Sequence, residues 1–595
     1  MSDRQAVALA VAAIVGAGWS ASVPLIPAIA LGVVALAIRK PWLLVAAVML
    51  LGSSLGARAW AGLDPVEAAA FEGEATLVAD PVPVGEGMRV SVRTEGRRYE
   101  AWAYGRAARD LGERLAGDRI LITGSVRPIQ PLPDYQAARH IANRLSIDRI
   151  HSHRDGSPPY RLANWLRRTI ASGAESLDDD RHALFTGLSY GDDRYQSPVV
   201  SDDFRAAGLT HLLAVSGQNV AFVLILARPL IERFDYRGRW VLTLGVIGFF
   251  ALVTRFEPSV LRATVMAAIA ATATLLGRDA SSRRVLALAV ALLVLVDPLL
   301  VHSVAFRLSV AASAGIILWA PRLAERLPGP RLLAEALGVT VSAQLAVSPL
   351  LIATFGGVPV ASLPANLLAA PVAGPIMMWS MSAGVVAGLL GGTTGPRHPL
   401  AHQLGHRLDP GCGRMGGLSP IGRAAGASHL AAVAIGAAAW WLARRRTCCG
   451  RWPQPHWSQR WLVPAVALRT SDPPFHTVFD SGVEVWREDQ SVVIALGSNR
   501  STERLLEDLR RTGVGVVDIA VADRGTRAQR DQIRSLQERM WVGTIIAPPG
   551  HRIGGATTVQ TGQRVLVGGL VVEVTSHDPR LAVTVTPAGG VASPA

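Results

Sequence analysis

Lysine and cysteine are almost absent from this sequence. Lys40 is the only lysine among 595 residues, although Lys and Arg together number 59, so nearly all of the basic charge is arginine. A Walker A loop needs a lysine after its glycine-rich turn, and no such pattern surrounds Lys40, which excludes this nucleotide site. The three cysteines, Cys412, Cys448 and Cys449, form neither a disulfide framework nor a CxxC zinc pattern.

Charge of either sign is also scarce. Charged residues make up 17% of the chain and hydrophobic residues 50%, whereas soluble proteins carry about a quarter charged residues. The apolar residues fall in long blocks, which indicates lipid as the solvent. The net charge of +14 fits a compositional bias with membrane-flanking arginines, and a surface for polyanions is the alternative. The first apolar block predicts an anchor rather than a cleavable signal peptide.

Membrane helices are predicted in two blocks. In residues 1–58, two short spans broken near Pro24 and Pro27 precede a third at Pro41–Ala57. In residues 208–445, the predicted spans are Leu209–Ile231, Trp240–Thr254, Ser259–Gly277, Val285–His302, Ala305–Ala320, Leu332–Phe355, one or two spans in Val358–Gly392, and Ser428–Ala443. Arginine clusters follow alternate spans, so they are predicted to be cytoplasmic and the residues after Arg58 to be outside. Charge leaves open the side of the membrane on which the C-terminal residues lie.

Three further segments have a different pattern. Residues 71–151 alternate in five short runs, which predicts a small β-barrel or sandwich. Residues 160–207 begin with an amphipathic helix over 161–188, interpreted as lying on the membrane surface. Residues 451–586 alternate strands with two helices, which predicts an α/β domain. The tail at residues 587–595 is predicted to be disordered.

Polar side chains interrupt the first span of the second block. An acidic turn at Gly191–Arg194 leads into an apolar stretch that contains His211, Ser216, Gln218 and Asn219. On one continuous helix His211 and Gln218 would share a face. Polar groups at membrane depth are costly unless they are paired or face water. Hydrogen bonding between helices and a lined pathway are therefore equally favoured.

Other polar groups have a simpler interpretation. Arg262 and Arg307 lie near the ends of predicted spans, where snorkelling is favoured over a role in carrying phosphates. Gln344 and Asn366 are the remaining intramembrane polar groups. The acidic pairs at Asp192, Asp193, Asp202 and Asp203 are interpreted as turn and cap residues rather than as a weak metal site.

Several motifs in order resemble the ComEC family of competence proteins. They are LSYGDDR at Leu188–Arg194, GLTHLLAVSG at Gly208–Gly217, PSVLRATVM at Pro258–Met266, DPLL with AFRLSVAASAGI at 297–316, and AQLAVSP through NLLAAP at 343–371. PDYQAARHIANRLSIDRI at Pro133–Ile150 resembles the end of the family's external domain. Asn219 stands where many members have His, and Arg307 replaces the usual Gln.

The resemblance implies a channel that takes up single-stranded DNA across the cytoplasmic membrane, without a cofactor and with DNA-receptor and ATPase partners. The alternatives are another transporter, an envelope scaffold that has lost DNA uptake, or a membrane-bound metallohydrolase. The pathway candidates are His211, Ser216, Gly217, Gln218, Asn219, Arg262, Arg307, Gln344 and Asn366.

The resemblance also implies an OB-like β domain outside the membrane. OB-folds bind single strands through basic grooves and aromatic stacking. The candidate contacts are Arg93, Arg97, Arg98, Tyr99, Trp102 and Tyr104. Trp102 and Tyr104 alternate on one strand face, and a place in the core is favoured for both.

The family often ends in a metallo-β-lactamase-like domain, whose metal site needs an HxHxDH cluster after a strand. After the predicted strand Val516–Ala522 only Asp523 remains, and His476, His551 and His577 are scattered. We therefore predict a degenerate domain without metal or hydrolase activity.

Overall fold

The computed structural model describes residues 1–391, except 214, 356, 359 and 360, and residues 474–588, except 480, 481, 489, 498–500, 552 and 577–579. The described residues form two compact units. The first comprises those within Met1–Gln196 and Gly208–Pro410, and the second those within Ser197–Ala207 and Gly411–Ala595. The segment Ser197–Ala207 therefore belongs to the C-terminal unit, which the sequence did not predict.

The first three helices are α1 (Asp3–Trp19), α2 (Leu25–Ala37) and α3 (Pro41–Ala61). Pro24 precedes α2, at the predicted break. Helices α1 and α3 approach closely because both present glycine: a Cβ on Gly16 would lie 2.0 Å from the Met49 carbonyl oxygen. Small residues allow membrane helices to pack backbone against backbone.

The β domain contains β1 (Ala69–Leu77), β2 (Val82–Val84), β3 (Gly87–Thr94), β4 (Arg97–Tyr104), β5 (Arg119–Pro128) and β6 (Ile141–Arg154), with short helices α4 (Gly105–Gly112) and α5 (Asp134–Ala137). Strand β1 pairs with both β5 and β3, so the pairings β1-β5-β6-β4-β3-β1 close into a ring. Strands β4 and β6 are parallel. Alternate apolar residues fill the core, among them Leu77, Val92, Ile120 and Leu145.

Four short helices follow: α6 (Pro158–Ser172), α7 (Asp179–Tyr190), α8 (Pro198–Ala206) and α9 (Thr210–Leu213). The single amphipathic helix predicted over 161–188 is wrong, because Asp178 caps a new helix with its side chain. The predicted apolar face is also divided, since Ile170 is buried while Leu162 and Trp165 are exposed.

The second membrane block contains α10 (Gly217–Ile231), α11 (Tyr236–Val253), α12 (Pro258–Leu275), α13 (Ser282–Val296), α14 (Val304–Arg326), α15 (Arg331–Phe355) and α16 (Ser362–Gly391). The predicted span Val285–His302 consists of α13 followed by a 3-10 helix at Pro298–His302. Within the described residues, 7 helices are long and apolar enough to cross a membrane. Most of the Val358–Gly392 stretch forms one helix, whereas the predicted span Ser428–Ala443 and the cysteines lie outside the described residues.

The C-terminal domain contains β7 (His476–Val478), β8 (Glu484–Glu488), β9 (Ser491–Leu496), α17 (Thr502–Arg511), β10 (Val516–Ala522), α18 (Arg527–Arg539), β11 (Trp541–Ala547), β12 (Ala556–Thr558), β13 (Arg564–Val567), β14 (Leu570–Ser576) and β15 (Ala582–Pro587). The first six strands form one sheet in the order β12-β11-β10-β9-β8-β7, and the last three form another. Apolar residues of both sheets share a core, and α17 and α18 cover the opposite face of the larger sheet.

Candidate functional site

Three of the sequence motifs meet at Val215. Gly191 ends α7 in a left-handed conformation with φ +79, and a Cβ there would lie 2.5 Å from Val215 Cγ2. Ser259, in the first turn of α12, donates its hydroxyl to the Val215 carbonyl oxygen at 2.6 Å. The acidic turn, the GLTHLLAVSG segment and the start of α12 therefore form one junction, which we call the motif junction.

The predicted continuous helix through His211 and Gln218 is wrong, because the chain leaves helix α9 before it starts α10. Ser216 is the N-cap of α10, and its Oγ accepts from the Gln218 backbone N–H at 3.3 Å. The break separates His211 from Gln218, so the two do not share one helix face. His211 lies on α9 and is exposed.

Asn219 and Gln218 have opposite environments although they are neighbours. Asn219 has 0% exposure, and its Nδ2 donates to the Leu188 carbonyl oxygen at 3.4 Å. This contact ties α10 to the end of α7. Gln218 is exposed and lines a cavity together with Gly217 and Arg262. Of these adjacent candidates, only Gln218 presents an accessible amide.

Gln344 and Asn366 meet through a residue that the sequence did not single out. Ser362, at the start of α16, donates its hydroxyl to Gln344 Oε1 at 2.9 Å. Asn366 Nδ2 donates to the Ser362 carbonyl oxygen at 2.8 Å. Gly208, with φ +69, packs here as well, since a Cβ would lie 2.5 Å from Ser362 Cβ. This polar group joins α15 and α16 to the beginning of the GLTHLLAVSG segment.

The two arginine candidates of the membrane block, Arg262 and Arg307, differ in their contacts and exposure. Arg262 Nε donates to Ser309 Oγ on α14 at 2.8 Å, and Nη1 contacts Met266 Sδ at 3.4 Å. Met266 lies one turn further into α12, so the guanidinium does not turn back toward the start of its helix. These contacts hold Arg262 along α12 and to α14, and snorkelling stays a prediction for it. Arg307 is exposed in the first turns of α14, and snorkelling stays a prediction for it as well.

A buried ion network beside the motif junction was missed by the sequence analysis. Arg167 Nη2 donates to Asp80 at 2.8 Å and to Asp192 at 3.0 Å. Arg194 also binds Asp192, and Arg255 binds Asp80. Asp192 is thus an ion-pair partner rather than the turn residue that was predicted, whereas Asp193 remains exposed.

The arginines of this network keep the two buried carboxylates ionised. Burial opposes ionisation of Asp80, but three surrounding guanidinium groups outweigh it and hold the pKa of that carboxyl well below its usual range. Burial likewise opposes ionisation of Asp192, and the hydrogen bond from Arg194 overcomes it and lowers the pKa. Burial lowers the pKa of the Arg255 guanidinium despite its contact with Asp80. The motif GDDR could have indicated Asp192 and Arg194, but no local pattern marks Asp80 or Arg167.

The aromatic candidates of the β domain do not share one environment. Tyr99 is buried in the core. The core interpretation is wrong for Trp102 and Tyr104, whose rings stack outside with centroids 6.4 Å apart, and Tyr104 is 57% exposed. The guanidinium of Arg144 lies 5.6 Å from the centroid of Trp102. We call Trp102, Tyr104 and Arg144 the aromatic platform.

The basic candidates of the β domain lie on the neighbouring strands β3 and β4. Arg93 and Arg97 are exposed, and Arg97 Nη1 donates to the Asp64 carbonyl oxygen at 3.0 Å. Arg98 Nη1 donates to the Arg139 carbonyl oxygen at 3.4 Å. Burial, with Arg93 nearby, lowers the pKa of Arg98.

The C-terminal candidates for metal binding each contact a different partner. Asp523 accepts from Gln529 Nε2 at 2.5 Å, and burial raises its pKa. His476 pairs with Glu484 at 3.0 Å, while His551 Nδ1 accepts from the Ile553 backbone N–H. His577 is outside the described residues. Within the part of the chain that the structure describes, no group of three His, Cys, Asp or Glu residues could hold a metal.

Asp202 and Asp203 are ion-pair residues of the C-terminal unit, so their assignment as turn and cap residues is wrong. Asp202 is 1% exposed and lies 3.3 Å from Arg510 Nε and 3.5 Å from Arg539 Nη2. Asp203 binds Arg539. Arg205 pairs with Glu503 at 3.1 Å. Helix α8 therefore packs on α17 and α18 through buried charge.

Fold and site together define a multi-spanning membrane protein with a β domain between two blocks of apolar helices. Residues 188–404 match the family model described as Competence protein. These matched residues are a domain of the ComEC family of competence proteins, and they contain the motif junction and the cavity at Arg262.

Three relatives are similar over parts of their length. The uncharacterized protein YcaI of Escherichia coli is 31% identical over 32% of this chain and 27% of its own. ComE operon protein 3 of Bacillus subtilis is 25% identical over 49% of this chain and 40% of its own. Competence protein ComA of Neisseria gonorrhoeae is 30% identical over 41% of this chain and 39% of its own. The chain thus covers less than half the length of each, and no solved structure matches it.

Proposed function

We propose that this protein is a channel through which single-stranded DNA crosses the cytoplasmic membrane during natural transformation. The observation that carries the proposal is the motif junction, where separate competence motifs meet beside a cavity among apolar helices. A DNA strand cannot cross hydrocarbon unaided, because unpaired charge in an apolar medium is too costly. The exposed amide of Gln218 and the guanidinium of Arg262 supply polar groups at that place.

The β domain is proposed to be an OB-like module on the outer side of the membrane. The closed ring of strand pairings, with β4 parallel to β6, supports this assignment. The aromatic platform supports contact with a single strand, because nucleobases stack on exposed aromatic rings and arginine adds a cation–π contact.

The C-terminal domain is proposed to be a degenerate metallo-β-lactamase-like domain with a packing or binding role. The two packed sheets with helices on one face support the likeness, and the pairing of Asp523 with Gln529 supports a structural role for that carboxylate. Metal analysis and a nuclease assay on the purified chain test this assignment. Stoichiometric zinc or hydrolysis of DNA would contradict it.

Transformation of a competent host tests the channel. The host's own gene is deleted, and the chain is supplied with Gln218→Leu or, as the matched control, with Gln130→Leu in the β domain. We expect Gln218→Leu to reduce transformant number at equal membrane abundance, because it replaces the accessible amide. A wild-type chain that reaches the membrane and restores no transformation, with the host's receptor and ATPase present, would favour another transporter or an envelope scaffold.

A further inference from the structure

The cavity beside the motif junction has a volume of 330 Å³ and is lined by Gly217, Gln218, Arg262, Ala263 and Met266. Its walls are the start of α10 and the first turns of α12. Pockets of a few hundred Å³ with a small number of polar groups are the usual size for small-ligand sites. The polar groups here are a guanidinium and a primary amide.

Arg262 is held in place without neutralisation. Its Nε and Nη1 are occupied by Ser309 Oγ and Met266 Sδ, which are uncharged. Within the described residues, no carboxylate lies within ion-pair distance of Arg262. Its Nη2 lies close to Gly217, since a Cβ on that glycine would be 3.2 Å away. An arginine within an apolar helix and without an acidic partner is costly, which makes a functional anion the expected counter-charge.

The other polar groups of the cavity also favour a negatively charged ligand. The amide of Gln218 can donate through Nε2, and Gly217 and Gln218 form the first turn of α10, where the helix dipole is positive. Guanidinium groups match the oxygen geometry of phosphate and carboxylate groups. One guanidinium balances the single charge of a phosphodiester, whereas a phosphomonoester would keep an uncompensated second charge.

We propose that this cavity binds one phosphodiester group, with Arg262 as its cation and Gln218 as a second donor. The proposal rests on the channel function for the identity of the ligand, because a phosphodiester could come from a DNA strand or from a lipid headgroup. Gly217 is small enough to let the group approach Arg262 Nη2.

Charged thiol reagents measure the field in the cavity directly. The full chain, with its three cysteines replaced by serine, carries Ala263→Cys, which lines the cavity and leaves both proposed donors in place, and is held in dodecyl maltoside micelles, which contain no phosphate. An anionic and a cationic methanethiosulfonate of similar size are compared by their rates of reaction. We expect the anionic reagent to react about tenfold faster relative to a free thiol standard, since a cationic cleft concentrates anions.

Variants assign the field to one residue. Arg262→Gln removes the preference, Arg262→Lys keeps it, and Arg307→Gln is the matched control because Arg307 is exposed and does not line the cavity. If Arg262→Gln does not fold, Met266→Glu places a carboxylate beside the intact guanidinium and must cancel the preference. Equal rates in the parent, no reaction at all, or a preference that survives both substitutions would overturn the proposal.

Competition identifies the source of the phosphodiester. An oligothymidylate and dihexanoylphosphatidylglycerol are each tested for Arg262-dependent protection of the cysteine. Protection by the oligonucleotide supports the site and the channel together. Protection by the lipid alone supports the site and speaks against the strand as its ligand, whereas protection by neither overturns the phosphodiester proposal even if the host is still transformed.

Discussion

The guanidinium of Arg167 donates to the carboxylate of Asp80 at 2.8 Å across 87 residues of sequence. Asp80 follows the first strand of the β domain and Arg167 lies on α6, so the pair fixes this domain to the helices beside the motif junction. Both side chains are buried. Moving two charges out of water costs about as much free energy as the ion pair recovers. The pair therefore orients the β domain more than it stabilises the fold.

We expect Arg167→Ala to destabilise the first unit by about 3–5 kcal/mol, because the substitution leaves two buried carboxylates without their shared cation. Thermal unfolding of the purified full chain measures the effect. Arg168→Ala is the matched control, since this neighbouring arginine is exposed. Equal unfolding temperatures for the two variants would show that the network does not hold the domain in place.

The same network predicts a dependence of stability on acid. The pKa of Asp80 is lowered in the folded protein, so its contribution is complete above its ordinary value of about 3.9 and declines as pH falls toward the lowered pKa. We expect the unfolding temperature to drop below about pH 4. Asp80→Asn should be less stable at neutral pH and should show a smaller drop. A parallel acid profile in both proteins would contradict this assignment.

Local sequence patterns located most of the elements and few of their contacts. Alternation predicted five strands of the β domain, because period-two burial is visible in a short window. The pairing of Asp80 with Arg167 was not predictable, since neither side chain has a local signal and the contact depends on the tertiary fold. Likewise, Trp102 and Tyr104 share a strand face in the sequence, but alternation cannot tell which of the two faces is the inner one.

We expect Trp102→Ala to weaken the binding of an oligothymidylate by about 1–3 kcal/mol, the range for loss of one stacked base. Tyr104 and Arg144 are exposed and Trp102 is half-buried outside the apolar core, so the substitution removes stacking area without removing a core residue. Fluorescence anisotropy with the purified full chain measures the dissociation constant. Tyr135→Ala, an exposed aromatic of α5, should leave it unchanged, and equal losses in both variants would rule out a specific platform.

Asp202→Asn should loosen the C-terminal unit. Its carboxylate is almost completely buried between Arg510 and Arg539, so the amide leaves Arg510 without this partner and Arg539 with Asp203 alone, at a cost of about 3 kcal/mol. Hydrogen exchange in α8, α17 and α18 of the full chain should become faster. Asp531→Asn on the exposed side of α18 is the control. Unchanged exchange with Asp202→Asn would show that α8 is held mainly by apolar contacts.

Gly208→Ala tests whether the GLTHLLAVSG segment must pack against the start of α16. Gly208 has φ +69, and a Cβ would meet Ser362 Cβ at 2.5 Å, so both the backbone conformation and the contact oppose the methyl group. We expect a loss of at least about 2 kcal/mol from left-handed strain and overpacking. Gly245→Ala on α11 meets nothing within 4 Å and should be neutral or slightly stabilising.

Because Ser362 also binds Gln344, Gly208→Ala should displace that hydrogen bond. Ser362→Gly in the same chain should recover part of the unfolding temperature, since it removes the clashing Cβ. No recovery would mean that backbone strain alone accounts for the loss.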